Sequence, residues 1–285
     1  MDKFCSPASR NYSMMTGTPL QLTVSIVLYE SKATEIKGLI SSLLDTSLNI
    51  KVFLVDNSST DRLKRLATDK RVTYIFNNKN IGYGRGHNIG IFESIKSGSP
   101  YHLVVNPDVE MEGEILEKMY NFMEEHPDAG CVVPNVLYPD GNKQYLNKLY
   151  PTPFDLMMRR FLPEKLSKTF PRFDKYELKH LDNVTRQVPI ASGCFLFCRN
   201  LVLKEIGGFD SRYFMYLEDT DMCRRINEVS KVIFWPEIEV IHAYAKGSYS
   251  NPRLLFYHIS SAIKYFNKWG WLFDAERRRI NRQFK

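Results

Sequence analysis

Apolar residues along the first half of the chain follow two alternating periods. Short runs rich in β-branched and aromatic residues read as strands: Leu22–Tyr29, Lys51–Asp56, Val72–Phe76, His102–Val105 and Gly130–Leu137. Between them apolar positions recur at helical spacing. Thr34–Leu44 places Ile36, Leu39, Ile40 and Leu43 on one face, and Arg85–Lys96 and Gly113–Glu125 read as further helices. Thr60–Leu66 reads as a short helix with Ser59 as its candidate N-cap. Strands alternating with helices predict parallel βαβ units in a doubly wound α/β sheet. Such sheets bind ligands at the carboxyl ends of their strands.

The rhythm breaks over 139–186, where Pro139, Pro151, Pro153, Pro163 and Pro171 surround a short apolar piece, Phe154–Leu162. This predicts an insertion or subdomain boundary. A strand at Ala191–Cys198, a helix at Leu201–Ile206, a Gly207–Gly208 turn, a helix from Leu217 to Val229 and a strand at Val232–Trp235 follow, with a strand-like Glu239–Ile241 beyond. The expected organisation is a polar leader (1–20), two halves (21–138 and 139–245) and a tail (246–285).

Charge separates the tail from the rest. It holds nine Lys/Arg against two acids, which is the whole net charge of +7, while the other 245 residues carry 30 of each sign. A nucleic-acid enzyme would spread positive charge over its binding face, so nucleic acid is disfavoured as a partner. Leu255, Ile259, Ala262, Phe266 and Trp269 make one apolar helix face beside Tyr265, Trp271, Phe273 and the Arg277–Arg279 run. That mix fits a helix lying on an anionic membrane surface, and equally a helix packed on its own core with a solvated basic end. No uncharged apolar run approaches the ~18 residues of a spanning helix. The cysteines are Cys5, Cys131, Cys194, Cys198 and Cys223. The lone C-x3-C of Cys194 and Cys198 lacks the second half of a zinc site, and a reduced, cytoplasmic chain is expected.

Polar clusters fall at the strand ends. Tyr29-Glu30 ends the first strand, and Asp56-Asn57-Ser58-Ser59-Thr60-Asp61 ends the second. A carboxylate there can accept the imide N–H of a nucleobase on which an aromatic stacks, though the same residues make good turns. Asn80-Ile-Gly-Tyr-Gly-Arg-Gly-His-Asn-Ile-Gly90 joins a strand to a helix, and its glycines allow close backbone approach to an anion. It is neither a dinucleotide fingerprint nor a Walker loop. Asn106-Pro107-Asp108 ends the fourth strand, and Asp108 could hold a hard divalent cation. Asp219 lies three, four and seven residues before Met222, Cys223 and Ile226, so a helix should turn it inward, and burial would raise it toward a general base. Asp221, four residues before Arg225, reads as half of a surface ion pair. His242 is a candidate further metal ligand.

This ordered set resembles the inverting family-2 glycosyltransferases of GT-A fold, from about Leu22 to His242. V-D-N-S-S-T-D, N-x-G-x-G-x-G-x-N-x-G, N-P-D, A-S-G-C-F-L-F, G-G-F-D-x-x-Y-F-M-Y-x-E-D-x-D-x-C-x-R and the later histidine all occur. The N-P-D and F-M-Y-x-E-D-x-D forms look most like bacterial rhamnosyltransferases of O-antigen and other surface polysaccharides. The resemblance implies a mostly parallel sheet flanked by helices, a nucleotide-sugar-binding half at 21–138 and an acceptor-binding and catalytic half at 139–245. It implies that Tyr29, Glu30, Asp56 and Asn57 hold base and ribose. Asn80, Gly82, Asn88 and Asn106 would line the diphosphate, and Asp108 with His242 would bind Mg2+ or Mn2+. Asp219 would be the base and Glu218 would place the acceptor. The implied donor is dTDP-L-rhamnose ahead of a UDP-sugar, and the implied acceptor is a saccharide or polyprenyl-diphosphate-linked saccharide at the inner face of the plasma membrane. Asn106 stands where the family often has aspartate, and His87 where relatives often have arginine. An inactive sugar- or nucleotide-binding module is the alternative from another class.

Overall fold

The computed structural model describes residues 18–161, 171–181, 183–243 and 252–284. Most of the expected leader, Cys5, Pro163, Lys246 and Lys285 lie outside them. Nine strands form one sheet: β1 (Leu22–Leu28), β2 (Ile50–Asp56), β3 (Val72–Phe76), β4 (Tyr101–Val105), β5 (Val109–Glu110), β6 (Ala129–Leu137), β7 (Arg186–Gln187), β8 (Phe195–Arg199) and β9 (Lys231–His242). Their order is β3-β2-β1-β4-β8-β6-β9-β5, with β7 paired to β9. The helices are α1 (Ala33–Leu44), α2 (Tyr83–Ser97), α3 (Ile115–Glu125), α4 (Pro153–Phe161), α5 (Pro171–Tyr176), α6 (Asn200–Ile206), α7 (Glu218–Val229), α8 (Pro252–Trp269) and α9 (Ala275–Gln283).

β1 to β4 pair in parallel, as the alternating pattern predicts. Beyond β4 the sheet is mixed. β8 runs antiparallel to both β4 and β6, while β6 and β9 are parallel to one another. The two halves of the chain therefore share one sheet, and the residues just before β8 reach the edge where β4 ends. The two separate strands expected around Pro236 are one strand. The proline has no N–H for the ladder, and the register jumps from Pro134↔Trp235 to Asn135↔Glu239 around it. The helix expected at Thr60–Leu66 shrinks to a single 3-10 turn at Lys64–Leu66 with no side-chain cap.

The core follows the strand period. Leu22, Val24, Ile26 and Leu28 of β1 face Ile36, Leu39, Ile40 and Leu43 of α1 in one buried cluster. The opposite face of β1 carries Thr23, Ser25 and Val27 beneath α2. A Cβ added at Gly90 would lie 2.5 Å from the Ser25 side chain, so only glycine lets α2 sit this close.

The tail packs inward. Phe266 is buried, and Ala262 and Trp269 pack against a cluster containing Tyr213, Leu217 and Tyr265. Most of that apolar face thus covers the protein's own core, the second of the two arrangements its pattern allows. Ile259 of that face stays exposed, as do Phe256, Ile263, Trp271, Leu272 and Phe273. Asp221 also departs from expectation. It makes the ion pair with Arg225 at 2.8 Å but is fully buried, because α8 lies over it and brings Lys268 Nζ to 2.6 Å and Trp269 Nε1 to 2.8 Å.

Candidate active site

Parallel pairing of β2, β1 and β4 puts three of the polar clusters at one edge of the sheet. Tyr29 is 55% exposed at the mouth of the β1 end, and Glu30 follows in a left-handed conformation (φ 50°). The Glu30 N–H donates to Ser58 Oγ at 3.0 Å, and its carboxylate is 3.6 Å from Arg62. Asp56 and Asn57 are buried beneath. Asp56 accepts from Ser58 N at 2.8 Å and from the Tyr74 hydroxyl at 2.6 Å. Asn57 donates to Gly82 O at 3.2 Å and accepts from Asn77 at 2.8 Å. In this arrangement their polar atoms tie together the loops at the β1 and β2 ends.

The glycine-rich turn is built for packing more than for an anion. Gly82 has φ 96°, and a Cβ there would lie 2.5 Å from Phe214 O. The Gly82 N–H donates to Asn80 Oδ1 at 3.0 Å, and the Tyr83 N–H donates to Phe214 O at 3.0 Å. Two of the first amides of α2 therefore already have partners, so the expected helix N-terminus for a diphosphate is partly covered. Asn88 is engaged as well. It donates to Phe209 O at 2.7 Å and accepts from Phe209 N at 2.8 Å, clamping the 207–214 loop on α2. His87 is buried under Tyr83 and Phe209, with its Nδ1 2.7 Å from Ser25 Oγ.

The β4 end meets α7 through one side chain that the motifs did not single out. The Tyr83 hydroxyl donates to Gly193 O at 2.7 Å and lies 3.0 Å from Asn106 Oδ1. The Gly193 N–H in turn donates to Asp219 Oδ2 at 3.1 Å, while Asp219 Oδ1 accepts from Thr220 N at 2.7 Å. Burial, then the charges of Cys194, Glu218, Asp219 and Asp108, holds the Tyr83 phenol well above its ordinary value, so it stays a donor. The signal that could have found this bridge is the A-S-G-C run before β8, which carries Gly193.

Backbone strain sits directly before the acids. Tyr216 and Leu217 are both left-handed (φ 69° and 63°), which is costly for non-glycine residues. This kink makes Glu218 the first residue of α7 and turns it inward. Glu218 is 6% exposed, and its Oε2 has no hydrogen-bond partner. Burial, with the Asp219 carboxylate second, pushes the Glu218 carboxyl up to about 8. The inward, proton-holding acid of the pair is thus Glu218, whereas the helical spacing had pointed to Asp219.

Asp108 and His242 come together as a candidate cation site. His242 Nε2 lies 3.3 Å from Asp108 Oδ1 and 3.3 Å from Asn106 Nδ2. Burial acts to raise the Asp108 carboxyl, but the neighbouring His242 ring outweighs it and leaves the group below the ordinary carboxylate range. A carboxylate oxygen and an imidazole nitrogen this close suit a divalent ion of the Mn2+ or Mg2+ kind whose other ligands come from a substrate. Among the described residues no group of three His, Cys, Asp or Glu converges on one point, so such an ion would need those outside ligands. Cys131, Cys194, Cys198 and Cys223 are free, buried thiols.

Comparison with known proteins gives this edge a context. The model of "Glycosyl transferase family 2" matches residues 23–207. The N-acetylglucosaminyl-diphospho-decaprenol L-rhamnosyltransferase of Mycobacterium tuberculosis is 29% identical over 261 residues, covering 85% of this chain and 83% of that protein. Rhamnosyltransferase WbbL of Escherichia coli K12 is 24% identical over 249 residues, covering 84% and 90%. Among solved structures, GalNAc-T7 with UDP, GalNAc and Mn2+ superposes with a TM-score of 0.60 at 14% identity, over 93% of this chain and 55% of that one. The mannosyltransferase PcManGT of Pyrobaculum calidifontis, with GDP-Man and Mn2+, gives 0.55 at 15% identity, over 87% and 65%. The chain therefore spans only about half to two thirds of those structural neighbours, and at such identities the likeness is one of fold.

Proposed function

The chain belongs to glycosyl transferase family 2 and is a glycosyltransferase, and from that premise we propose that it transfers L-rhamnose from dTDP-L-rhamnose, with inversion, to a polyprenyl-diphosphate-linked saccharide. The observation that carries the reading is one connected edge, from Asp108 and His242 through Asn106, Tyr83 and Gly193 to Asp219 and Glu218. The relatives named rhamnosyltransferases support the sugar, and the decaprenol-linked name of one supports the acceptor. Mn2+ accompanies UDP and GalNAc in one neighbour and GDP-Man in the other, which supports a divalent cation.

In this mechanism Tyr29 and Glu30 at the exposed β1 end receive the base, above the buried Asp56 and Asn57. Asp108 and His242, with Asn106 beside them, would hold Mg2+ or Mn2+, which when bound neutralises the leaving diphosphate. Asp219 is fixed by the Gly193 N–H and takes the proton of the acceptor hydroxyl as that oxygen attacks the anomeric carbon from the face opposite the leaving group. Glu218, protonated at neutral pH, donates to the acceptor and orients it. No enzyme nucleophile takes part.

A thermal-shift screen with dTDP, UDP, GDP and ADP, each with and without Mn2+, tests the donor. A selective shift with dTDP that grows with Mn2+ is expected; preference for UDP would replace the rhamnose assignment. Asp219→Asn should lower turnover at least about a hundredfold while leaving dTDP binding intact. A variant that keeps its turnover would remove Asp219 from the role of base.

We also place the protein on an anionic bilayer through the outward apolar residues of the tail. Leu272 and Phe273 project next to Arg278, whose guanidinium lies 5.9 Å from the Phe273 ring, and Arg279 and Arg282 are exposed nearby. Among the described residues no helix is long and apolar enough to cross a membrane. Co-sedimentation with anionic vesicles should fall for Leu272→Ser/Phe273→Ser; unchanged binding would reject this surface.

A further inference from the structure

Gln144 lies in the proline-rich stretch where the sequence offered no pattern, yet it is 3% exposed and directly behind His242. Its amide has one orientation. Nε2 donates to His242 O at 2.7 Å and to Leu137 O at 3.1 Å, and both partners can only accept. Oε1 is therefore the atom that faces the ring, 3.2 Å from His242 Nδ1. An amide oxygen cannot donate, so Nδ1 must carry the proton.

The other side of the ring has room for the same state. Nε2 lies 3.3 Å from the Asn106 Nδ2 donor, from which a lone pair on Nε2 can accept. The same Nε2 stands 3.3 Å from Asp108 Oδ1. A nitrogen lone pair and a carboxylate oxygen pointed at one another repel unless a cation, a proton or a metal ion, lies between them. Of the two neutral imidazole tautomers, only this one presents a metal-ligating nitrogen beside Asp108.

We propose that Gln144 is a positioning residue that holds His242 in the Nδ1–H tautomer and thereby makes Nε2 a ligand for the divalent cation. This rests on the metal assignment made above. Gln144 also ties β9 to the end of β6 through Leu137 O and His242 O, so the tautomer and the ring's place are set by one side chain.

The test uses the full-length protein. Long-range 15N–1H NMR of the histidine ring, without metal, should show His242 protonated at Nδ1 in the wild type. A proton on Nε2 overturns the inference, and this arm needs no variant to fold. Mn2+ binding in the presence of dTDP, followed by electron paramagnetic resonance, should weaken about tenfold or more in Gln144→Met. Dual protonation or the Nε2–H form should appear at His242 in that variant, and metal-free dTDP binding should stay unchanged. Wild-type binding of Mn2+ with equal affinity in Gln144→Met would overturn the role of Gln144 alone. No Mn2+ binding by the wild type would overturn the metal assignment and this inference with it.

Discussion

Two polar networks, one fully buried and one buried at its acids and at Arg224, support this site from behind, and they are built on opposite principles. Under α2 the network is neutral. Asn200 donates to Ser94, Ser94 and Thr23 share a short hydrogen bond, Thr23 meets His102 at 2.7 Å, and Ser25 bridges His102 to His87 at 2.8 and 2.7 Å. Under α7 the network is ionic. Arg224 grips Asp274 with two bonds of 2.7 and 2.8 Å and stacks between Tyr150 and Trp269, while Asp221 collects Arg225, Lys268 and Trp269. The neutral network lies where β1 and α2 already pack face to face, and hydroxyls and imidazoles fill a polar seam there without bringing charge indoors. The ionic network joins α7 to helices about fifty residues further along the chain, where no sheet supplies register. Charge-assisted, two-pronged contacts fix one geometry for the helix that carries Glu218 and Asp219.

The contrast breaks most sharply at Asp274. Asp274→Ala would leave the Arg224 guanidinium buried without its partner and remove the cap that Asp274 gives α9 through Arg277 N. A loss of about 3–5 kcal/mol in chemical denaturation is expected. A loss under about 1 kcal/mol would mean the ionic network is not what holds α7.

Acid should separate the two networks next. Burial depresses His102 to about 3, and burial with the neighbouring His102 depresses His87 well below its ordinary value. Both are neutral when folded, so their contribution is whole above the unfolded value near 6.5 and is lost as pH falls from there. Each costs about 1.4 kcal/mol per pH unit in that range, or about 2–3 kcal/mol together at pH 5.5. Asp274 works in a different window. Burial opposes its ionisation, but Arg224 and Arg277 outweigh that and hold it below the ordinary range, so its contribution persists until pH falls below about 4. Denaturation curves for His87→Asn/His102→Asn that still weaken between pH 6.5 and 5.5 would assign the acid sensitivity elsewhere.

Glu218 sits where the ionic principle is withheld. Its carboxyl, raised to about 8, must take up a proton on folding at neutral pH, so stability falls as pH rises from about 4.5 to 8. Glu218→Gln should stabilise the protein by roughly 1–3 kcal/mol at pH 8 and cost activity. The wild-type rate should decline above pH 8 with a limb that the variant lacks. The smallest effect belongs to the exposed tip of the tail: Phe273→Ser should change stability by less than about 0.5 kcal/mol. The same variant separates membrane affinity from fold, which deletion of the tail could not do, since that removes Lys268 and Asp274.

Legibility follows the range of the contacts involved. β1 to β4 and α1 were readable because each records its burial in a local period, and the family motifs were readable as ordered runs. The inward turn of Glu218 was hidden because it depends on two left-handed residues, Tyr216 and Leu217, that helical spacing cannot represent. Asp221 and Arg225 looked like a surface pair because Lys268, which also binds Asp221, is more than forty residues away. Gln144 gave no signal at all, since its role exists only where β6 and β9 lie side by side.

The sequence by itself determined the family, the strand–helix order of the first half, the strand ends where polar residues gather and the segregation of charge into the tail. These are properties of short windows, where period, turn chemistry and charge are written residue by residue. Only the tertiary structure decided that the tail packs on α7, that the glycine turn serves close packing, that Tyr83 joins the two ends of the site and that Gln144 governs His242. Each of these depends on a hydrogen bond, an ion pair or a close approach between residues distant in the chain, and which distant pairs meet is fixed by the register of the sheet and the packing of its helices.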